Sequence, residues 1–83
     1  MKVELRYFAS SREAVGFSAE SVETTASTLA ALRDELIALD APHAQALARG
    51  RALRMALNQV MCNESVSLPE GAEVAYFPPV TGG

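Results

Sequence analysis

Residues 28–39 read Thr-Leu-Ala-Ala-Leu-Arg-Asp-Glu-Leu-Ile-Ala-Leu, and this stretch decides the fold. Its leucines recur at spacings of three, four and three residues, at Leu29, Leu32, Leu36 and Leu39. That period predicts an amphipathic helix of about three turns, with Ser27 or Thr25 as its N-cap. The polar faces of this helix would carry Arg33, Asp34 and Glu35. A single apolar stripe has to pack against another layer, which we expect to be a β-sheet.

Strands are predicted on both sides of this helix. Residues 2–8 alternate apolar with charged side chains, which is the period-2 pattern of a half-buried strand with Val3, Leu5 and Tyr7 inward. Further extended segments are predicted at 19–24, as an edge strand, at 53–60, briefly around Val66 and Leu68, and at 73–77.

Two shorter helical segments complete the chain. Residues 10–16 indicate a helical turn closed by Gly16. Asp40 and Pro42 predict the start of a short helix, with Leu47 as its anchor and Gly50 as its stop. The order of elements predicts an α+β domain over residues 1–77, with a mixed sheet of four to five strands crossed by one main helix plus a short helix.

Composition limits what such a chain can do. With 83 residues, 49% of them hydrophobic, it has room for one small core but little for an internal active-site cavity. A net charge of −3 disfavours binding to nucleic acid or to an anionic membrane. Because Cys62 is the only cysteine, no internal disulfide can form, and we expect a soluble protein of the reducing cytoplasm. No apolar run approaches the roughly 20 residues of a membrane span.

The chemically reactive side chains do not form a recognisable site in the sequence. His43 is interpreted as a solvated surface residue, and Cys62, 19 positions away, as a spectator thiol, so no metal site is expected. The one basic cluster consists of Arg49, Arg51 and Arg54, and it is interpreted as a solvated loop, with contact to an acidic partner as the alternative. The ten acidic residues are interpreted as a solubilising surface.

The last residues are unusual for a chain end. Residues 77–83 read Phe-Pro-Pro-Val-Thr-Gly-Gly. Pro78 and Pro79 fix φ and favour a stiff extended arm, and the terminal glycines give it a thin, adaptable end. Six residues reach at most about 20 Å, enough to enter a partner's deep site. From composition alone, a functional tail over residues 78–83 and a frayed terminus both stay open.

Alternation also predicts a partner surface. With Val74 and Tyr76 inward, Phe77 should point away from the helix, and Met61 is a possible neighbour in the same patch. Phe8 has two open interpretations, as part of this patch or as a side chain that turns into the core. Outward phenylalanines on a small sheet favour an interface.

The tail resembles the terminal signature of the small, sulfur-carrying subunits of molybdopterin synthase, which belong to the ubiquitin-like β-grasp family of MoaD/ThiS-like sulfur carriers. Tyr7-Phe8-Ala9, followed by Arg12-Glu13 and Gly16, is similar to the family's first strand and turn. Leu57-Asn58-Gln59, followed by Leu68, Gly71 and Glu73-Val74-Ala75, is similar to its second half. The resemblance covers nearly the whole chain, although residues 41–52 match nothing in it.

The resemblance implies a β-grasp fold and a sulfur-carrier function. The carboxylate of Gly83 would be adenylated by an E1-like adenylyltransferase that uses ATP, and then converted to a thiocarboxylate with sulfur from a donor protein. The tail residues Pro78, Pro79, Val80, Thr81 and Gly82 would enter the large subunit, and Phe77, Phe8 and Met61 would line the interface. The partners implied are that large subunit, in a heterotetramer, and the adenylating enzyme. The chain alone would be non-catalytic and bind no cofactor.

Two other functions remain open. A sulfur carrier for thiamine synthesis or tRNA thiolation would use the same chemistry with another acceptor, although Pro-Pro-Val before Thr-Gly-Gly favours the pterin pathway. A ubiquitin-like module that binds partners noncovalently would need no modification of Gly83.

Overall fold

The computed structural model describes residues 1–50 and 52–79. Five strands form one sheet, at Lys2–Tyr7 (β1), Ala19–Glu23 (β2), Arg54–Leu57 (β3), Val60–Cys62 (β4) and Glu73–Phe77 (β5). The helices are Ala9–Val15 (α1), Leu29–Ile37 (α2) and Ala41–Leu47 (α3).

The sheet is mixed, with strand order β2-β1-β5-β3-β4. The first and last strands lie side by side in parallel, with Leu5 opposite Val74 and Tyr7 opposite Tyr76. The other neighbouring strands pair antiparallel. The predicted α+β architecture with a mixed sheet is therefore confirmed, as is the edge position of β2.

The core lies between one face of this sheet and the helices. Val3, Leu5 and Tyr7 of β1 are buried, as their alternation predicted. The apolar side chains that meet them include Leu29, Leu32, Leu36, Leu47, Met55, Leu68, Val74 and Tyr76. Because β1 and β5 are central, the helix layer covers the middle of the sheet.

Helix α2 differs from its prediction in three respects. Its N-cap is Thr28, whose hydroxyl accepts a hydrogen bond from the Ala31 amide at 3.2 Å, and not Ser27 or Thr25. The helix ends at Ile37, so Leu39 lies beyond it and is 58% exposed. Arg33, expected on a polar face, is buried.

Buried Arg33 joins three parts of the chain. Its Nε and Nη2 donate to the carbonyls of Leu47 and Ala48 at the end of α3, at 2.7 and 2.8 Å. Its Nη1 donates to the Glu64 carboxylate at 3.0 Å. Burial pushes the Glu64 pKa upward, but hydrogen bonds from Arg33 and Arg49 outweigh it and lower that pKa overall. Each of the three guanidinium nitrogens thus donates a hydrogen bond, where the sequence suggested a solvated charge.

The strand predicted at 53–60 is confirmed over Arg54–Leu57 only, because the chain reverses after Leu57. Asn58 and Gln59 have φ of 50° and 69°, and this left-handed pair forms the two-residue turn between β3 and β4. The segment around Val66 and Leu68 forms no strand, only an isolated bridge between Ser67 and Thr28.

The shorter helices follow their capping signals. Gly16 closes α1 with φ of 99°, and its amide donates to the Arg12 carbonyl at 2.8 Å. Asp40 caps α3, which ends at Leu47, short of the predicted stop at Gly50.

Candidate partner-binding face and carrier tail

The sheet face opposite the helices is uncovered within the described part of the chain. Along β1 the side chains on this face are charged and exposed, whereas its inward side chains are buried. Arg6 lies opposite Ala75 of β5, and its guanidinium is 3.4 Å from the Glu73 carboxylate. This open face is therefore polar along β1 and at the start of β5. Its apolar part lies at the C-terminal ends of these two strands.

Phe8 and Phe77 form a pair at that end. Their ring centroids are 6.5 Å apart with an interplanar angle of 82°, an edge-to-face contact. Phe8 is 51% exposed, and Phe77 is half-buried. The amide of Phe8 donates to the carbonyl of Tyr76 at 3.1 Å, which continues the pairing of β1 with β5. Phe8 thus points outward, which resolves its two interpretations in favour of the surface.

Alanines connect this pair to Met61. Ala75 of β5 lies opposite Ala56 of β3, which lies opposite Met61 of β4. Opposite residues share a sheet face, and Ala56 is absent from the helix-side core although it is only 7% exposed. Met61 is 57% exposed on this same face. We call the set Phe8, Phe77, Ala75, Ala56 and Met61 the open-face patch.

The tail begins beside this patch. Pro78 and Pro79 follow Phe77 directly and are half-buried. Residues 80–83, which include the predicted tail positions Val80, Thr81, Gly82 and Gly83, lie outside the described residues. The end of β5 therefore joins the two features that the sequence singled out, namely the outward phenylalanine and the double proline.

His43 corrects the sequence interpretation of a solvated residue. The side chain is 4% exposed, between Asp40 at its Nδ1 and Glu20 at its Nε2, each at 2.6 Å. The local sequence is rich in alanine and gave no sign of Glu20, which is 23 positions away. The one local signal was Asp40, three residues earlier in the position of an N-cap.

Two of the three arginines of the basic cluster, Arg49 and Arg54, lie within the described residues. Arg49 donates to the carboxylates of Asp34 and Glu64, and the Asp34 hydrogen bond is the main reason that its pKa is raised. Arg54 lies in β3 and is exposed, and Arg51 is outside the described residues. Arg49 thus lies in an exposed turn, as the sequence predicted, and its side chain forms ion pairs there.

The described residues contain neither a metal-binding cluster nor a membrane-spanning helix. Over residues 1–50 and 52–79 no group of three or more His, Cys, Asp or Glu side chains is arranged to hold a metal ion. Cys62 is half-buried, and burial raises the pKa of its thiol. None of the helices described is long and apolar enough to cross a membrane.

Sequence comparison identifies the family. The profile of the ThiS family matches residues 5–83, nearly the whole chain. The chain belongs to the ThiS family. One relative is the molybdopterin synthase sulfur carrier subunit of Escherichia coli (strain K12), which is 41% identical over 81 residues, or 98% of this chain and 99% of that protein. The family resemblance inferred from the tail is therefore confirmed.

Solved structures resemble this ThiS-family chain over its full length. SAMP1 from Haloferax volcanii has a TM-score of 0.79 and 23% identity, with both chains fully covered, and shows the shared fold. A chain in the complex of subunits 1 and 2 of molybdopterin-converting factor from Helicobacter pylori 26695 has a TM-score of 0.66 and 26% identity, again with full coverage of both chains. The predicted ubiquitin-like β-grasp fold is confirmed.

Proposed function

We propose that this ThiS-family chain is the sulfur carrier subunit of a molybdopterin synthase. The observation that carries the proposal is the match to the sulfur carrier subunit of Escherichia coli, 41% identical over 98% of this chain and 99% of that protein. The family match also extends through Gly83, the residue on which the chemistry would depend.

The carboxylate of Gly83 is the proposed site of reaction. An α-carboxyl group has a pKa of about 3.3–3.7, so it is ionised at neutral pH and is a poor electrophile. An E1-like adenylyltransferase would join it to the AMP portion of ATP and release pyrophosphate. A sulfur donor protein would then displace AMP and leave a thiocarboxylate, whose sulfur passes to a pterin precursor in the large subunit.

The tail composition fits this route through two enzymes. Glycines at 82 and 83 lack Cβ atoms, so they present a narrow cross-section and can adopt backbone conformations closed to other residues. The prolines at 78 and 79 restrict the arm that carries them, which lowers the entropy lost when the arm is held in a channel. In this proposal, catalytic side chains and ATP belong to the partner proteins.

The open-face patch is the proposed docking surface for the large subunit. It joins the start of the tail, so a partner bound there would hold the tail at the entrance of its own site. The Helicobacter pylori neighbour was solved as a complex of two subunits, which supports an assembly of this kind. We propose a heterotetramer of two small and two large subunits.

The tail is tested by changes that leave the domain untouched. Deletion of Gly83, or addition of one residue after it, should abolish thiocarboxylate formation, which mass spectrometry detects as replacement of oxygen by sulfur in the terminal peptide. Gly82→Ala should slow dithiolene synthesis by chemically thiocarboxylated protein and large subunit. Gly50→Ala is the matched control, because open space surrounds that position and its backbone is outside the left-handed region.

The noncovalent alternative makes the opposite prediction. If protein lacking Gly83 supported full turnover with the same large subunit, the sulfur-carrier function would be wrong and a binding module would explain the chain better.

The docking surface is tested by two matched pairs. Phe77→Ala should weaken large-subunit binding about fivefold or more in calorimetry, because an apolar anchor beside the tail is lost. Phe17→Ala is the control, since Phe17 is also exposed but contacts Tyr7 and His43 on the helix side. Met61→Ala should weaken binding more than Val60→Ala, whose side chain lies on the other face of β4. Equal losses within both pairs would remove the open-face patch from the interface.

A further inference from the structure

His43 occupies a site that the sulfur-carrier proposal does not use. The ring lies on the first turn of α3, against the β1–β2 edge of the sheet, and Tyr7 and Phe17 contact it edge-on at centroid distances of 6.1 and 6.2 Å. Two carboxylates meet its two nitrogens. Both nitrogens of this buried imidazole therefore have hydrogen-bond partners, as buried polar groups require, and the partners come from two different parts of the chain.

The hydrogen bonds determine the charge of the ring. Asp40 Oδ1 is 2.6 Å from Nδ1, and Glu20 Oε2 is 2.6 Å from Nε2. An ionised carboxylate only accepts hydrogen bonds, so both contacts are satisfied at once only if both ring nitrogens carry protons. The ring is therefore an imidazolium with one carboxylate at each end.

Neighbouring groups reinforce this assignment. The Tyr7 hydroxyl donates to the same Glu20 oxygen at 2.7 Å. Burial first, and then this hydrogen bond to Glu20, raise the pKa of Tyr7, so it stays a donor. The His43 amide also donates to Asp40 Oδ1, at 2.9 Å. Both carboxylates are thus surrounded by donors, as anions require.

Charged groups on the other helices lie elsewhere. On α1, Arg12 and Glu13 are exposed. On α2, Arg33 binds the opposite end of α3, and Asp34 pairs with Arg49. Among the described residues, the carboxylates that contact the His43 ring are therefore those of Asp40 and Glu20.

We propose that Glu20, Asp40 and His43 form a proton-operated latch, which fastens the start of α3 to the β1–β2 edge and loosens when the ring loses a proton. On deprotonation one ring nitrogen becomes an acceptor and faces a carboxylate across a contact of 2.6 Å, and the other nitrogen keeps a hydrogen bond that the ring's charge no longer strengthens. The contact with Glu20 is therefore lost in one tautomer and weakened in the other. The N-cap bond from Asp40 to the His43 amide remains, so the helix stays formed while its attachment to β2 weakens.

The sign of the pH dependence follows from the folded and unfolded states. Burial pushes the His43 pKa down, but hydrogen bonds and charge from Glu20 and Asp40 outweigh it and raise the pKa above 6.5. The stabilisation is therefore complete below pH 6.5 and is lost as pH rises through the folded-state pKa. Hydrogen bonds from the His43 amide first, and then from its ring, lower the Asp40 pKa below 3.8, so the stabilisation by Asp40 is present above pH 3.8 and is lost as pH falls through its folded-state pKa.

Nuclear magnetic resonance of the full, untagged chain tests the latch directly, because His43 is its only histidine. The ring should titrate with a pKa above 6.5 in the native chain. In Glu20→Gln that pKa should move down toward 6.5, and in the control Glu13→Gln, an exposed carboxylate on α1, it should not move. A native pKa at or below 6.5 would overturn the proposal, and this measurement needs no variant to fold.

Hydrogen exchange supplies a second measurement. Protection factors of the α3 amides, which correct for the intrinsic pH dependence of exchange, should fall as pH passes the ring pKa, by about tenfold for each unit that this pKa lies above the unfolded value. The fall should be smaller in Glu20→Gln than in Glu13→Gln, because Glu20 is one of the groups that raise the ring pKa. A constant α3 value across the titration of the native chain, or equal falls in the two variants, would also overturn the latch.

Discussion

Truncation of Leu32 measures how much the helix layer contributes to this domain. Leu32 is fully buried on α2, whereas Leu39, which the sequence placed on the same stripe, is 58% exposed beyond the helix end. The pair Leu32→Ala and Leu39→Ala makes the same chemical change in one segment of the chain. The two variants therefore differ mainly in burial.

The magnitudes follow from that difference. A fully buried leucine replaced by alanine loses its transfer free energy and leaves a cavity, at a cost of about 2.7–5 kcal/mol. An exposed leucine costs within about 0.5 kcal/mol. A domain of 83 residues has a total stability of roughly 4–12 kcal/mol at ~0.05–0.15 kcal/mol per residue. Leu32→Ala should thus remove a large share of the stability, and Leu39→Ala almost none.

Urea denaturation gives the readout. With a slope of about 1–3 kcal/mol per molar, the Leu32→Ala midpoint should fall by at least about 1 M while the slope stays unchanged. Leu36→Ala, at 3% exposure, should behave like Leu32→Ala. Free energies of unfolding for Leu32→Ala and Leu39→Ala that lie within about 0.5 kcal/mol of each other would refute the packing of α2 on the sheet.

Three further stability predictions are tested by thermal or urea unfolding, and the first two have matched controls. Gly16→Ala should cost about 1 kcal/mol because its φ is 99° with open space around it, so the loss is backbone strain, whereas Gly50→Ala should be close to neutral; equal effects would contradict the strain. Thr28→Ala should cost about 1 kcal/mol through loss of the N-cap bond, and Ser27→Ala much less; the reverse order would restore Ser27 as the cap. Arg33→Met should cost more than about 2 kcal/mol because its acceptors lose a charged donor; a neutral result would show that Met packing replaces the network.

Local sequence patterns predicted the elements that have a periodic or a capping signal. The alternation of Val3, Leu5 and Tyr7 identified β1 and its buried face, and capping residues located α1 and α3. Alternation failed at residues 58–59, because a strand that reverses through a two-residue turn keeps its period-2 pattern on both sides of the reversal. The antiparallel pairing of β3 with β4 and the positive φ of Asn58 and Gln59 show the hairpin.

Long-range pairing explains the remaining errors. The environment of His43 depends on Glu20, which a local sequence window cannot contain. Arg33 did carry a local signal, since it lies four residues after Leu29 and three before Leu36, on the buried stripe. Arg33 was nevertheless predicted to be exposed because it is charged. Burial of an arginine requires acceptors, and those of Arg33 come from the end of α3 and from Glu64, which the sequence alone did not reveal.

The open-face patch follows from the size of the domain. A sheet of five strands has two faces, and the helices in the described chain cover one of them, so apolar side chains on the other gain nothing from the protein's own core. Phe77 and Met61 on that face therefore have no role in stability comparable to that of Leu32. Further burial of these side chains has to come from another molecule. Substitutions on the helix side should lower the free energy of unfolding, whereas substitutions at Phe8 and Met61, which are 51% and 57% exposed, should lower affinity with little change in the unfolding midpoint.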